Sequence, residues 1–191
     1  MTTRVLFLLL FTFSMANAAE KKLKVDASHT EIGFQIKHLM IANVKGKFNK
    51  FDSSIVFNEK TKKVSAITLT IEAASIDTNE ADRDKHLRGS DFFETEKFPQ
   101  ITFTSNGATL KKDEVTLVRG KLKIRNISKD INLKITYLGM AKDPWGNVHY
   151  VFEAEGKLKR SDFGLNWNKT LDQGGVVISD DVKLVIEAQY M

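Results

Sequence analysis

The chain has 191 residues, of which 42% are hydrophobic, enough for one domain with a sizeable core, and no linker divides it. It contains no cysteine, which excludes disulfides, thiol nucleophiles and thiolate metal sites. The formal net charge of +5 is mild, and lysines such as Lys121 and Lys157 alternate with apolar residues. This alternation is typical of the solvated face of a sheet and disfavours a nucleic-acid patch.

The N-terminus has the pattern of a signal peptide over residues 1–18. Arg4 precedes an apolar run at 5–13, and Ala16-Asn17-Ala18 forms a small-residue cleavage pattern. This run is too short to cross a hydrocarbon core of roughly 30 Å as a helix. We therefore expect cleavage near Ala19, export to the periplasm, no membrane span and a mature domain over residues 19–191.

Apolar residues recur with a period of two along most of the remaining chain, which predicts half-buried strands. The main examples, in chain order, are Ile32, Phe34 and Ile36; Ile67, Leu69 and Ile71; Ile101 and Phe103; Leu122 and Ile124; Leu133 and Ile135; and Val182, Leu184 and Ile186. Turn signals separate these segments at spacings that suit antiparallel hairpins. The sequence predicts a mainly β fold: a single antiparallel β-barrel of about eight strands, which encloses room for one small ligand.

One segment departs from this pattern, at residues 79–88. It has helical composition, with a capping residue at Asn79 and acidic residues before basic ones, so we expect a short helix that ends near Gly89. Arg83, His86 and Arg88 on this helix have two possible roles, which stay open here. They could belong to a salt-bridged surface helix, or they could bind an anionic head group.

The sequence shows no clear catalytic or metal-binding motif. His29 and His38 are nine residues apart, so on one continuous strand they would face opposite sides. Neither a nucleophile elbow nor a cluster of metal ligands is present, so we expect no enzyme activity, no metal and no cofactor. His38 has the inward parity of Phe34 and Ile36, and it could be a core histidine bonded to a carbonyl or a polar contact inside a cavity.

Several segments together resemble one protein family. They are Asp26-Ala27-Ser28-His29-Thr30, Val44-Lys45-Gly46-Lys47-Phe48, Arg83-Asp84-Lys85-His86-Leu87-Arg88-Gly89-Ser90-Asp91-Phe92-Phe93, Lys97-Phe98-Pro99-Gln100-Ile101-Thr102-Phe103 and Arg160-Ser161-Asp162-Phe163-Gly164-Leu165. In this order and at this spacing they resemble the YceI-like family of polyisoprenoid-binding periplasmic proteins. The resemblance runs from about Leu23 to the C-terminus.

The resemblance implies a lipocalin-like barrel with a bound isoprenoid chain of the quinone or polyprenyl-phosphate type, export to the periplasm, and often a homodimer. We therefore expect a periplasmic carrier that holds an isoprenoid lipid or a similar amphiphile as its ligand. The alternatives are a secreted stress or interaction protein with an incidental cavity and, less favoured, an enzyme that acts on a lipid.

Parity along the strands and the crowding of aromatic rings indicate the residues that should contact the hydrocarbon, although core packing would also explain the rings. The candidates are Phe34, Ile36, His38, Leu69, Phe92, Phe93, Phe103, Ile124, Ile135, Phe163 and Trp167. A polar head should lie at the mouth of the barrel, where arginines suit a phosphate and histidines a quinone carbonyl. The candidates there are His29, His38, Arg83, His86, Arg88 and Arg160.

Overall fold

The computed structural model describes residues 20–170 and 175–191, so the predicted signal peptide at 1–18 lies outside the described residues. Twelve strands in these ranges form one curled antiparallel sheet, which confirms the mainly β, lipocalin-like architecture. Their bounds are β1 Lys21–Lys24, β2 Glu31–His38, β3 Ala42–Phe48, β4 Phe51–Asn58, β5 Lys63–Glu72, β6 Ile76–Asp77, β7 Gln100–Ser105, β8 Ala108–Thr109, β9 Val115–Ile124, β10 Ile127–Lys142, β11 Val148–Lys159 and β12 Ile178–Tyr190.

The sheet closes on itself at one end. Its strand order is β1-β4-β5-β7-β9-β10-β11-β12-β2-β3-β6, with β8 beside β5. Lys24 and Met191 exchange backbone hydrogen bonds of 2.8 and 2.9 Å, which join β1 to the end of β12. Eight strands therefore form a closed ring, in the order β1-β4-β5-β7-β9-β10-β11-β12. The sequence pattern predicted about this number. Four further strands lie outside the ring: a 3-10 helix at Ala27–His29 separates β1 from β2, the hairpin of β2 and β3 extends the sheet beyond β12, and β6 and β8 have only two residues each.

Strand residues alternate between the barrel interior and solvent as their pattern predicts. In β9, Val118, Leu122 and Ile124 are buried, whereas Lys121 and Lys123 between them are exposed. The β9–β10 register places Leu133 opposite Val118, so the buried faces of neighbouring strands coincide. The apolar side chains of all the long strands thus share one interior.

The helix α1, Ala81–Arg88, forms where the sequence predicted a helix and ends at Gly89. Its cap differs from the expected Asn79. Glu80 is the N-cap and accepts hydrogen bonds from the backbone N–H groups of Asp82 and Arg83, whereas Asn79 has a φ of 65° and leads into the cap. Asp84 is buried and accepts a hydrogen bond from the Thr78 hydroxyl, so α1 is tied to the residue that follows β6.

Candidate functional site

The barrel encloses a cavity of about 450 Å³. This volume lies in the range of about 300–1,000 Å³ that is usual for small-molecule sites. Inward side chains of β2, β3, β5, β7 and β9–β12 form its wall, and α1 and the segments after α1 and β11 close one side. Apolar lining residues that were not among the predicted candidates are Ile32, Val44, Phe48, Ile71, Leu87, Ile101, Leu122, Ile131, Leu133, Leu158, Leu165, Val177, Ile178, Val182, Leu184 and Ile186.

Glycines on the inner wall make room for this cavity. Gly46 pairs with Phe34 across β2 and β3, and a Cβ built on Gly46 would lie 2.7 Å from Phe34 Cε1. A Cβ on Gly156 would lie 2.6 Å from Cδ2 of Leu133, its cross-strand partner. Because carbon atoms pack at about 3.5–4.0 Å, a Cβ at either position would displace the neighbouring side chain.

Most of the predicted hydrocarbon contacts lie on the cavity wall. These are Phe34, Ile36, His38, Leu69, Phe92, Phe93, Phe103, Ile124 and Trp167. Ile135 and Phe163 do not line this cavity, and their contact with a ligand stays a prediction. Ile135 lines a second, smaller cavity of about 70 Å³, and Phe163 is only 1% exposed, packed in the hydrophobic core beside the cavity.

The small cavity lies directly beyond the large one. Five residues line both cavities and therefore form the layer between them: Ile32, Leu69, Phe103, Leu133 and Ile186. Leu69 and Phe103 are cross-strand partners in β5 and β7. The bottom of the small cavity includes the Ser53 hydroxyl, which lies 2.7 Å from the Tyr190 hydroxyl.

Of the predicted head-group residues, the structure brings Arg83, His86, His38 and Arg160 to the cavity wall. The other two candidates, His29 and Arg88, do not line the cavity. His29 lies at the opposite end of the barrel, where its Nδ1 is 2.7 Å from Asp26 Oδ2. Arg88 donates to the backbone carbonyls of Ala74 and Ile76 and holds α1 to the preceding segment, so its guanidinium does not line the cavity.

Arg160 is a nearly buried cation, 5% exposed, at the wall of an apolar cavity. Its guanidinium donates to the backbone carbonyls of Ser179, Leu165 and Trp167. Burial lowers the pKa of this guanidinium, and the charge of Asp180 offsets part of that effect. Since Arg160 keeps its charge and its hydrogen bonds among the described residues go to carbonyls, an anionic group in the cavity would find a positive charge that Asp180 offsets only in part.

His86 and two aromatic rings form a second polar point. The His86 ring packs edge-on against Phe92 and Trp167, with centroid distances of 5.1 and 5.0 Å, and its Nε2 lies 2.9 Å from Asp91 Oδ2. Arg83 lies on the same helix and donates to the hydroxyl and carbonyl oxygens of Thr78. The hydrogen bonds among the described residues do not include the His38 ring, which lies on the cavity wall. Of the two alternatives for His38, this placement favours a polar contact inside the cavity.

The cavity residues that the sequence analysis missed include strand residues of β12 and two polar residues near α1. Val182, Leu184 and Ile186 had the inward parity of β12, and only their position in the barrel shows that they reach the cavity. Asp82 and Thr78 line the cavity beside Arg83, and no periodic pattern marks them. In the described parts of the chain, no group of three or more histidines and acidic residues has the arrangement of a metal site.

This curled antiparallel sheet around an apolar cavity, with cationic groups on its wall, defines a lipocalin-like barrel of the ligand-enclosing class. The chain belongs to the YceI-like family, because residues 23–190 match the YceI-like domain. It is 39% identical over 181 residues to Protein YceI of Salmonella newport (strain SL254), covering 95% of this chain and 91% of that protein.

Solved structures show the same fold. The YCEI protein of Campylobacter jejuni is 37% identical, with a TM-score of 0.66 over 86% of this chain and 94% of that chain. BcnA of Burkholderia cenocepacia is 22% identical, with a TM-score of 0.71 over 86% of this chain and 98% of that one. A polyisoprenoid binding domain from Saccharophagus degradans is 19% identical, with a TM-score of 0.64 over 88% and 97% of the two chains. No helix in the described residues has the length and apolar character needed to cross a bilayer.

Proposed function

We propose that the protein is a periplasmic carrier that holds a long isoprenoid, of the quinone or polyprenyl-phosphate type, or a similar amphiphile in the barrel. The observation that carries this proposal is the cavity of about 450 Å³ with an almost entirely apolar wall. The fold is also that of the polyisoprenoid binding domain from Saccharophagus degradans, which agrees with an isoprenoid ligand. Periplasmic location rests on the signal-peptide pattern at residues 1–18.

The size of the cavity supports useful affinity. At about 30 Å³ for each heavy atom, the share that one water takes in the liquid, it holds about 15 carbons. Each buried methylene contributes about 0.8 kcal/mol, so the gross gain is about 12 kcal/mol. Loss of translational freedom and ordering of the chain offset a large part of this gain. Micromolar or tighter binding is then reachable through the hydrocarbon alone.

The ends of the cavity differ in a way that orients an amphiphile. Arg83, His86 and Arg160 lie where α1 and the segment after β11 meet the cavity, whereas the small second cavity beyond Leu69 and Phe103 is apolar on most of its wall. We infer that the head group lies near the arginines and that the hydrocarbon tail points toward the small cavity.

A carrier fits the chemistry better than an enzyme that needs a cofactor or an activated nucleophile. The one Ser-His-Asp contact among the described residues joins Asp26, Ser28 and His29 at the far end of the barrel. The Ser28 hydroxyl oxygen and the Asp26 carboxylate both approach Nδ1 of His29, at 3.1 and 2.7 Å. A catalytic triad uses the two different ring nitrogens, so this arrangement does not activate Ser28.

The experiment that tests the proposal is organic extraction of protein purified from the periplasm of its own host, followed by mass spectrometry. We expect one prenyl lipid or long-chain amphiphile in near-stoichiometric amount. The intact mass of the protein should correspond to a chain that starts near Ala19. Polar small molecules alone, or no ligand at all, would favour the secreted stress or interaction protein with an incidental cavity.

A cavity-filling variant tests where this ligand lies. Leu69→Trp adds a large ring at the layer between the two cavities and should lower the lipid content severalfold while the barrel still folds. Lys121→Ala and Lys157→Ala are the matched controls, because both side chains point to solvent and form only surface ion pairs. A folded Leu69→Trp protein with the parental lipid content would show that the ligand lies outside the barrel.

A further inference from the structure

The hairpin between β2 and β3 exposes three consecutive apolar side chains at its tip. Leu39, Met40 and Ile41 are 41, 57 and 83% exposed. Single exposed apolar residues are common on soluble proteins, but a contiguous group at the end of a projecting hairpin marks an interaction site. We call these three residues the hairpin tip.

The hairpin tip lies at the rim of the large cavity. His38 and Val44, on either side of the tip, both line the cavity wall. The Leu39 N–H donates to the Val177 carbonyl at 2.9 Å, and Val177 also lines the cavity. A hydrocarbon that enters or leaves past this rim therefore meets the hairpin tip.

The conformation of the tip favours a role for its side chains. Leu39 and Met40 have φ values of 51° and 65°, in the left-handed region that glycine and asparagine adopt at lower cost. Large apolar residues at two such positions are unfavourable for the isolated hairpin. The chain therefore keeps two large apolar side chains at the tip at a cost in backbone energy.

Within the hairpin, the charged side chains near the tip are all lysines. On the neighbouring strand β12, Asp180 and Asp181 form ion pairs with Lys159. Between Ile32 and Phe51 the sequence contains lysines and no acidic residue. Lys37 and Lys45 are exposed on the outer face of the hairpin, and the ion pairs formed among residues 20–170 and 175–191 do not include them. An apolar end flanked by free lysines is the pattern of a segment that enters the interface of an anionic membrane.

We propose that the hairpin tip docks on an anionic lipid bilayer. The apolar side chains enter the boundary between head groups and acyl chains, and Lys37 and Lys45 face the lipid phosphates. This orientation turns the mouth of the cavity toward the bilayer, so a lipid can pass between membrane and barrel with little exposure to water. A second copy of this chain would bring the same lysines against each other, which disfavours a symmetric dimer through this hairpin.

Docking goes beyond the proposed function, because the hairpin tip can bind a bilayer whatever the cavity holds. The test is co-sedimentation with vesicles of phosphatidylglycerol and phosphatidylcholine in equal parts, beside vesicles of phosphatidylcholine alone. We expect the parent protein to bind the anionic vesicles more tightly, and salt to weaken this binding.

Two double variants separate the apolar and the charged contributions. Met40→Ser with Ile41→Ser should weaken binding to anionic vesicles about tenfold or more. Lys37→Gln with Lys45→Gln should weaken it about 25-fold, since each lysine near such a surface contributes about fivefold. The matched control is Trp145→Ser: Trp145 is 85% exposed in the turn between β10 and β11, at the opposite end of the barrel, and its loss should leave binding unchanged.

Three outcomes would overturn the proposal. The parent protein does not sediment with anionic vesicles, or Trp145→Ser weakens binding as much as the tip variants do. In the third, the tip variants sediment normally but lose a self-association that ultracentrifugation detects in the parent, which would make the tip a contact between two copies. Organic extraction of the same variants distinguishes the carrier proposal from the docking proposal. A protein that docks on vesicles but contains no lipid would refute the carrier function alone.

Discussion

Gly46→Ala tests the idea that glycines on the inner wall create the cavity. The added Cβ would lie 2.7 Å from Phe34 Cε1 and 2.8 Å from Thr78 Cγ2, and closer still to Phe34 Cζ. Thr78 is held by Asp84 and Arg83, so it cannot retreat easily. Carbon contacts need at least about 3.5 Å, so the ring must move by about 0.8 Å or more, away from the wall and into the cavity.

The displacement of the Phe34 ring sets the expected loss of stability and of ligand affinity. Crowding in a packed interior costs about 1–3 kcal/mol, and the lower chain entropy of alanine in the unfolded state returns about 0.4–1 kcal/mol. The net loss is then at most about 2.6 kcal/mol, so we expect the thermal midpoint to fall by up to about 10 °C. If the ring takes the room of one or two methylenes, ligand affinity falls about 4- to 15-fold. Scanning calorimetry and displacement of a dansyl-labelled fatty acid measure the two effects.

Two further variants decide whether the ring is the cause. Phe34→Leu in the Gly46→Ala background removes the clashing ring atoms and should restore part of both losses, with a coupling energy above about 0.5 kcal/mol. Gly156→Ala is a milder counterpart, because its Cβ meets the end of the flexible Leu133 side chain at 2.6 Å. Two results would refute the idea that a clash with Phe34 is the cause. One is parental ligand affinity in a folded Gly46→Ala protein, and the other is strictly additive effects of Gly46→Ala and Phe34→Leu in the double variant.

Two other residues give direct predictions. Arg160→Met should lower the free energy of unfolding by about 3 kcal/mol or more in denaturant titration, because it leaves the three bonded carbonyls without their donor. The same variant should also weaken the binding of a prenyl phosphate more than that of the corresponding prenol. Equal losses of affinity for the two ligands would contradict an anion site at Arg160. The Ser28 hydroxyl and then the His29 ring lower the pKa of Asp26 from 3.8 to about 2, so its ionised form stabilises the fold above about pH 4. That stability is lost as the pH falls through 2, and Asp26→Asn should reduce stability at pH 6 but little at pH 2; an equal loss at both would exclude ionisation as the cause.

Local patterns were sufficient for the direction in which each strand side chain points. Phe34, Ile36, Leu69 and Phe103 line the cavity because side chains alternate strictly along a strand and the apolar face of a closing sheet turns inward. The short helix was equally accessible, since its composition and the glycine after it are local signals. Its cap was not, because Glu80 and Asn79 are both able to begin a helix and only the path of the chain from β6 selects Glu80.

No local sequence pattern predicts how far along the barrel axis a given side chain lies. Ile135 has the correct parity, but β10 spans 16 residues, so an inward side chain can lie in either cavity, and Ile135 lies in the smaller one. His29 belongs to a strongly family-like segment, yet the break between β1 and β2 places it at the end of the barrel away from the arginines.

The sequence by itself therefore determined the β architecture, the inward and outward faces of the strands and the membership in a family. All three depend on local patterns, namely the alternation of apolar residues and the order and spacing of short segments. Only the tertiary structure decided which basic side chains face the cavity. Arg88 and Arg160 both donate to backbone carbonyls, and Arg160 alone also lines the cavity. That difference depends on where distant segments pack, since the carbonyls of Ser179 and Ala74 come from opposite parts of the chain.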